Sequence, residues 1–203
     1  MKNLFFAAAL LALAFTGCKK DDDDNNVTPT PTPTPNRYNV ALTVDGSSLT
    51  YTDGKNGFEQ AAGSSKETRP LPEFSTAYYY SNIFSDNTVG GVSIYKGEMS
   101  FQGAYPDDAD FVAYFAPGNY MYSTPTTDGV EILHVDATGQ VWSSINGTQS
   151  GATFNITSTQ QFSIFGDTYV DVKGTFTCKL YNETGTQSKT VTNGSFFLSY
   201  GNF

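Results

Sequence analysis

The chain has 203 residues, a formal net charge of −9 and a sequence pI near 4.4. From Arg37 onward, 16 acidic residues stand against eight basic ones. Such a surface repels phosphate backbones and anionic headgroups, which argues against nucleic acid as a partner and against electrostatic docking on lipid. One histidine and two cysteines give no zinc-ligand spacing, and neither a phosphate-binding glycine loop nor a serine elbow occurs. The expectation is a protein without a cofactor and without a recognisable catalytic constellation.

The amino-terminal residues carry the most specific signal. Lys2 precedes a continuous apolar run from Leu4 to Phe15, too short for a permanent bilayer span, which needs roughly 20 apolar residues. A basic start, a short apolar core and small residues at its end mark a secretory signal. Its end, Phe15-Thr16-Gly17-Cys18, matches the bacterial lipobox, with Phe15 where an aliphatic residue is usual. Residues 1–17 therefore read as a signal peptide and Cys18 as the lipidated first residue of the mature chain. Lys19-Lys20-Asp21-Asp22-Asp23-Asp24 follows directly. A charge run of this kind cannot join a core. After a lipobox it resembles the export signal of Bacteroidota lipoproteins, which directs them to the outer face of the outer membrane.

Thr28 to Pro35 alternates Thr and Pro. Proline fixes φ and removes a donor, so the tract is extended and spans about 25 Å at roughly 3.1 Å per residue. Residues 18–36 thus form a lipidated linker, and 37–203 a single domain long enough to bury a core.

Within that domain the pattern is β. Tyr38 to Val44 alternates, Asp45-Gly46 is a turn signal and Ser48 to Tyr51 completes a hairpin. Strands are expected at Phe74–Phe84, Gly91–Lys96, Tyr120–Tyr122, Val130–Asp136, Val141–Ser144 and Thr153–Thr159. A last pair, Thr168–Tyr181 and Lys189–Tyr200, is joined by a loop at Asn182 to Gly185. Asn193-Gly194 reads as a turn or bulge, and Gly174 as a bulge or close backbone approach. One stretch departs from this pattern. Asp107, Asp108 and Asp110 precede Phe111, Tyr114 and Phe115 at i, i+3, i+4 spacing, which predicts a short helix near 107–116, before Pro117-Gly118. The expected fold is an all-β antiparallel sandwich, or a partly closed barrel, with one helix.

Gly129 to Ser144, Val172 to Tyr181 and Thr190 to Phe196 together resemble a family of Bacteroidota surface lipoproteins. The stretch Gly174-Thr175-Phe176, Leu180-Tyr181 and Thr192-Asn193-Gly194-Ser195-Phe196 is its most specific part, and Tyr114-Phe115-Ala116-Pro117-Gly118 also fits. The resemblance runs from about Asp107 onward and implies a compact β-sandwich displayed at the cell surface. It implies no activity and no functional residues.

Candidate sites are few. Tyr78-Tyr79-Tyr80 and Trp142 could stack on the apolar faces of sugars, against the simpler reading that alternation buries some of these rings in the core. Asp107, Asp108 and Asp110 offer oxygens to Ca²⁺, but no calcium loop is present and acids already suit a helix start. Glu98, Glu131 and Asp136 are the carboxylates weighed for glycoside hydrolysis, and no spacing singles out a pair. Cys178 alternates with Phe176 and Leu180 and reads as a small core residue with no disulfide partner once Cys18 is acylated. His134 shows no spacing that pairs it with Cys178. The sequons at Asn146, Asn155, Asn182 and Asn193 are incidental to turn composition. The expected role is a non-enzymatic binding or accessory module, anchored in the outer membrane through its amino-terminal lipid and facing the cell exterior. Its partner would be a glycan or a surface protein. A glycan-binding subunit of a polysaccharide-uptake system and a carboxylate-dependent hydrolase are the alternatives.

Overall fold

The computed structural model describes residues 38–203, and Asn36–Phe203 form one compact unit. The signal peptide, Cys18, the charged run Lys19 to Asp24 and the Thr-Pro tract lie outside the described residues. The chain forms β1 (Asn39–Val44), β2 (Ser47–Thr52), β3 (Phe58–Glu67), β4 (Ser75–Ser85) and β5 (Gly91–Phe101), followed by helix α1 (Asp108–Tyr114). Then come β6 (Gly118–Asn119), β7 (Glu131–Val135), β8 (Val141–Ser143), β9 (Thr153–Ile164), β10 (Asp167–Tyr181) and β11 (Ser188–Asn202).

All strand pairs are antiparallel, and they form one sheet in the order β2-β1-β11-β10-β8-β7-β5-β4-β3, with β9 also on β10 and β6 on β9. The sheet does not close into a barrel. Its two halves meet in the ladder through a single pair, Tyr181↔Ser143, and fold over each other like a sandwich. Gln60 Nε2 on β3 donates to Ser199 O on β11 at 3.1 Å, and Tyr79 Oη donates to Asn202 Oδ1 at 3.0 Å. The apolar alternation of both halves points into the space between them. There Val40, Leu42, Ile83, Ile94, Ile132, Val170, Phe176 and Leu198 pack into one core.

Local chemistry explains the strand joints. The β1–β2 turn holds Asp45 at φ 46° and Gly46 at φ 85°, the pair of positive φ angles that an Asp-Gly hairpin supplies at low cost. On β11 the buried set changes parity, from Val191 to Gly194, Phe196 and Leu198. The cause is a bulge, where Asn193 sits at φ 51° and the register against β10 shifts between Phe176 and Cys178. At Gly174 the register against β9 shifts, and a Cβ would lie 2.5 Å from both Asn155 O and the Phe196 ring. The bulge and close-approach readings of these two glycine sites both hold.

The structure corrects several predicted elements. Tyr120–Tyr122 is not a strand: β6 covers only Gly118–Asn119, and Tyr122 makes an isolated bridge to Val130. The strand β3 went unpredicted. The strands β5 and β9 run on to Phe101 and Ile164, well past the expected ends. Helix α1 begins after Asp107, which makes no side-chain cap, and ends at Tyr114. Phe111 and Phe115 are fully buried against Tyr79 and Tyr200.

Candidate functional site

The inward positions of β5 read Val92, Ile94, Lys96, all buried. An amine thus lies where the alternation calls for an apolar side chain. Lys96 is 6 % exposed, and the only ion pairs among the described residues are Arg69–Glu67 and Lys189–Asp136. Its charge is met by aromatic faces instead. The Nζ lies 3.5 Å from the centroid of the Tyr120 ring and 4.1 Å from that of Tyr114, a double cation–π contact. Burial pushes the amine down to about 8, partly opposed by the charge of Asp128.

Two further segments complete a cleft of about 480 Å³ around this amine. Tyr120 is held by its backbone N–H on Phe154 O at 2.9 Å and by its hydroxyl on Ala116 O. Across from it, the loop carrying Asp128 is tied to β5, where Glu98 N donates to Asp128 Oδ2 at 2.6 Å. Gly97, at φ 105°, permits that approach, since a Cβ there would lie 2.7 Å from Gly129 O. The rim carries the carboxylates of Glu98 and Asp128, with Asn119 and the 74 % exposed Met121 beside them. The arrangement offers one cationic donor, two acidic acceptors, an amide and tyrosine rings, which suits a polar ligand with apolar faces.

The sequence-predicted aromatic set is divided. Tyr78, 42 % exposed, donates its hydroxyl to Glu98 Oε2 and so borders the cleft. That hydrogen bond, with some burial, raises the phenol to about 12. Tyr80 lies against Tyr95 with ring centroids 5.3 Å apart. Tyr79 and Trp142 are corrected as stacking residues. Tyr79 is fully buried on Phe111, and its pKa is raised chiefly by that burial. Trp142 is 7 % exposed, with Lys189 Nζ 4.0 Å from its ring. The four rings form no common platform.

Of the predicted carboxylates, Glu98 lies on the rim of the cleft, while Glu131 and Asp136 are engaged elsewhere. Asp136, just past β7, receives Thr138 N and Oγ1 at 3.0 and 2.6 Å and Gln140 N at 3.2 Å on Oδ1. Its Oδ2 takes Trp142 Nε1 at 2.9 Å and Lys189 Nζ at 2.8 Å. Burial alone would raise its pKa; the hydrogen bonds from Lys189, Thr138 and Trp142 outweigh this and hold it far below the usual carboxylate range. Glu131 accepts from Ser143 Oγ at 2.6 Å. Glu131 and Asp136 stand at opposite ends of β7, on the order of 16 Å apart along the strand at about 3.3 Å per residue. That exceeds the roughly 5–10 Å separation of a glycosidase pair.

The remaining candidates have structural surroundings. Among the described residues no three His, Cys, Asp or Glu side chains gather to hold a metal, and Asp108 Oδ1 accepts from Asn202 Nδ2 at 3.1 Å. Cys178 is a free, buried thiol that burial pushes up to about 12, so it is no thiolate nucleophile at neutral pH. His134 is 1 % exposed, with Nε2 3.0 Å from Tyr51 Oη and Nδ1 without a partner.

Sequence reasoning missed Lys96, although its signal was present: a lysine on the apolar parity of a strand. Tyr114 and Tyr120, which face it, come from the helix and from the segment after β6, and no spacing announces that meeting. No protein-family model matches the chain, and no curated protein or solved structure matches it significantly.

Proposed function

We propose that this chain is a surface-anchored lipoprotein whose β domain is a non-enzymatic binding module, with the cleft around Lys96 as its ligand site. The observation that carries the binding reading is the buried, unpaired ammonium of Lys96, held between two tyrosine rings at the base of an open cleft. Burying a charge without a carboxylate partner is costly, and a polar ligand in the cleft would offset part of that cost. The anchoring reading rests on the lipobox at Cys18 and the acidic run behind it. Among the described residues no helix is long and apolar enough to cross a membrane.

A glycan is the favoured ligand class. Sugar hydroxyls need both donors and acceptors, which Lys96, Asn119, Glu98 and Asp128 provide, and sugar faces pack on rings such as Tyr120 and Tyr78. Asp136 and Glu131 are committed to hydrogen bonds within the fold, and in the cleft itself Glu98 accepts from Tyr78 and Asp128 from the backbone N–H of Glu98, which favours binding over hydrolysis.

Two experiments test this. Cys18→Ala is expected to release the protein from the membrane fraction; unchanged retention overturns the anchoring. On a glycan array, the Asn36–Phe203 unit is expected to bind a restricted set of oligosaccharides, with binding weakened tenfold or more by Tyr120→Ala and by Glu98→Gln. Binding that survives both substitutions would place the ligand elsewhere on the domain.

A further inference from the structure

Among the described residues, the strand β9 has one edge without a ladder partner over half its length. Its first residues are covered: Asn155 and Ile156 pair with β6, and Phe154 O accepts from Tyr120 N. From Ser158 to Ile164 it pairs with β10 alone among the described residues. A bulge at the Lys173/Gly174 register shift separates the two halves. Alternate residues of Ser158–Ile164 therefore turn both N–H and C=O outward, with no acceptor or donor for them among the described residues.

Folded proteins usually blunt such an edge with a charged side chain, a proline, a bulge or shortness. Here the seven residues are Ser-Thr-Gln-Gln-Phe-Ser-Ile. They contain no charge, no proline and no register shift. The neutrality extends far beyond the strand: from Ala137 to Gly166 there is no Asp, Glu, Lys, Arg or His, in a chain of net charge −9. At the tip of the β9–β10 hairpin, Phe165 is held at φ 53° and is fully exposed, beside Ile164 at 44 %. A bulky side chain with positive φ is an uncommon conformation; at this turn it presents an apolar ring to solvent beside the open edge.

We infer that the free edge of β9 pairs with the same edge of a second copy of this chain, joining two sheets into one across a two-fold axis. The charge distribution favours this occupant. Two copies of an acidic protein repel over most of their surfaces, and least where an uncharged strand faces its own image. A two-fold axis perpendicular to the sheet keeps each side chain on its own face, so pairs must share parity. Centred on the open stretch, this places Gln161 opposite Gln161, Gln160 opposite Phe162, Thr159 opposite Ser163 and Ser158 opposite Ile164. No pair sets like charges together, and the ends bring Ile164 and Phe165 alongside the partner strand.

The test is the oligomeric state of the Asn36–Phe203 unit by sedimentation velocity over a wide concentration range, with hydrogen exchange along β9. A concentration-dependent dimer is expected, with the outward-facing amides of Ser158–Ile164 protected in step with dimer formation and those already bonded to β10 protected throughout. Gln161→Lys puts two ammonium groups face to face on the axis and should weaken the dimer about tenfold or more. Gln161→Glu should do the same, and an equimolar mixture of the two variants should restore association. The position is exposed, so thermal stability of the monomer serves as the folding control. A wild type that stays monomeric to about 100 μM overturns the inference. So does a dimer indifferent to both charges, or β9 amides protected only when a different protein strand is added. Ligand binding in the Lys96 cleft does not enter these readouts.

Discussion

Asp136→Ala is expected to lower the stability of the domain by about 3 kcal/mol. Among the described residues the carboxylate is the only acceptor for the indole N–H of Trp142 and for the ammonium of Lys189. It also organises the turn after β7 through Thr138 and Gln140. Its removal leaves a largely buried indole donor unsatisfied, at roughly 1–3 kcal/mol. It also strands a lysine whose side chain is 23 % exposed and lies over the Trp142 ring. For a domain of this size the loss corresponds to a fall in Tm of roughly 6–12 °C. Asp136→Asn should lose about half as much, because its Oδ1 still serves Thr138 and Gln140 while its amide nitrogen cannot accept from Trp142 or Lys189. Urea unfolding followed by tryptophan fluorescence checks both, and Trp142 is the sole tryptophan. Equal stability of wild type and Asp136→Ala would refute the account.

The second large effect is an acid sensitivity placed well above the carboxylate range. Burial, with a contribution from the charge of Lys189, pushes His134 down from 6.5 to about 4. Between those values the unfolded chain holds a proton that the folded chain does not. The unfolded state then binds more protons, so stability falls as the pH drops through this window and is fully present above 6.5. A displacement of this size amounts to a loss of up to about 3 kcal/mol on going from pH 7 to pH 4. Asp136, with its depressed pKa, loses its own contribution only below the unfolded carboxylate range near 4. Burial raises the pKa of Asp171, which opposes the loss toward the acid end of this range, so the histidine is reported by the difference in urea midpoints between wild type and a histidine variant from pH 7.5 to 4.5. His134→Gln should be less stable at pH 7 yet much flatter across that interval. Because the chain has one histidine, its imidazole resonances are unambiguous. A midpoint near 6.5 in the folded protein would rule out the mechanism.

The elements that could be read from the sequence share one property: their signal is local. Asp45-Gly46 names its own turn, and the alternation in Val170, Val172, Phe176 and Leu180 names β10. Asp107 to Phe115 carries acid and then an apolar stripe at helical spacing. The strand β3 offers nothing comparable. Its residues, Phe58 to Glu67, are exposed or half-buried apart from Gly63, whose missing side chain makes room for the ring of Tyr80. It is a strand because β4 supplies a ladder, not because of its own composition. The extension of β5 past Lys96 depends on Gly97, where the chain takes a conformation that sequence alone would read as an ending. The same logic applies to the site. Tyr78 could be picked out within its aromatic run, while the partners of Lys96 are brought in by topology from positions 114 and 120. The run Tyr78-Tyr79-Tyr80 shows the limit of composition: adjacent rings on a strand point to opposite faces, so Tyr79 turns into the core while Tyr78 and Tyr80 share the outer face.

The place of β11 bears on how this molecule comes into being. It lies between β1 and β10, so the hairpin nearest the start of the domain finds its neighbouring strand only after Ser188–Asn202 has been synthesised. The pairing Val40↔Phe196 closes a loop of nearly the whole domain, and contacts of such sequence separation are slow to form. A growing chain that has reached β10 still lacks the strand that joins both flanks of that half of the sheet. The strands β3, β4, β5, β7 and β8 can already pair with one another by then, whereas the β1–β2 and β9–β10 hairpins have no ladder joining them until the last strand arrives, so that half of the sandwich is completed last.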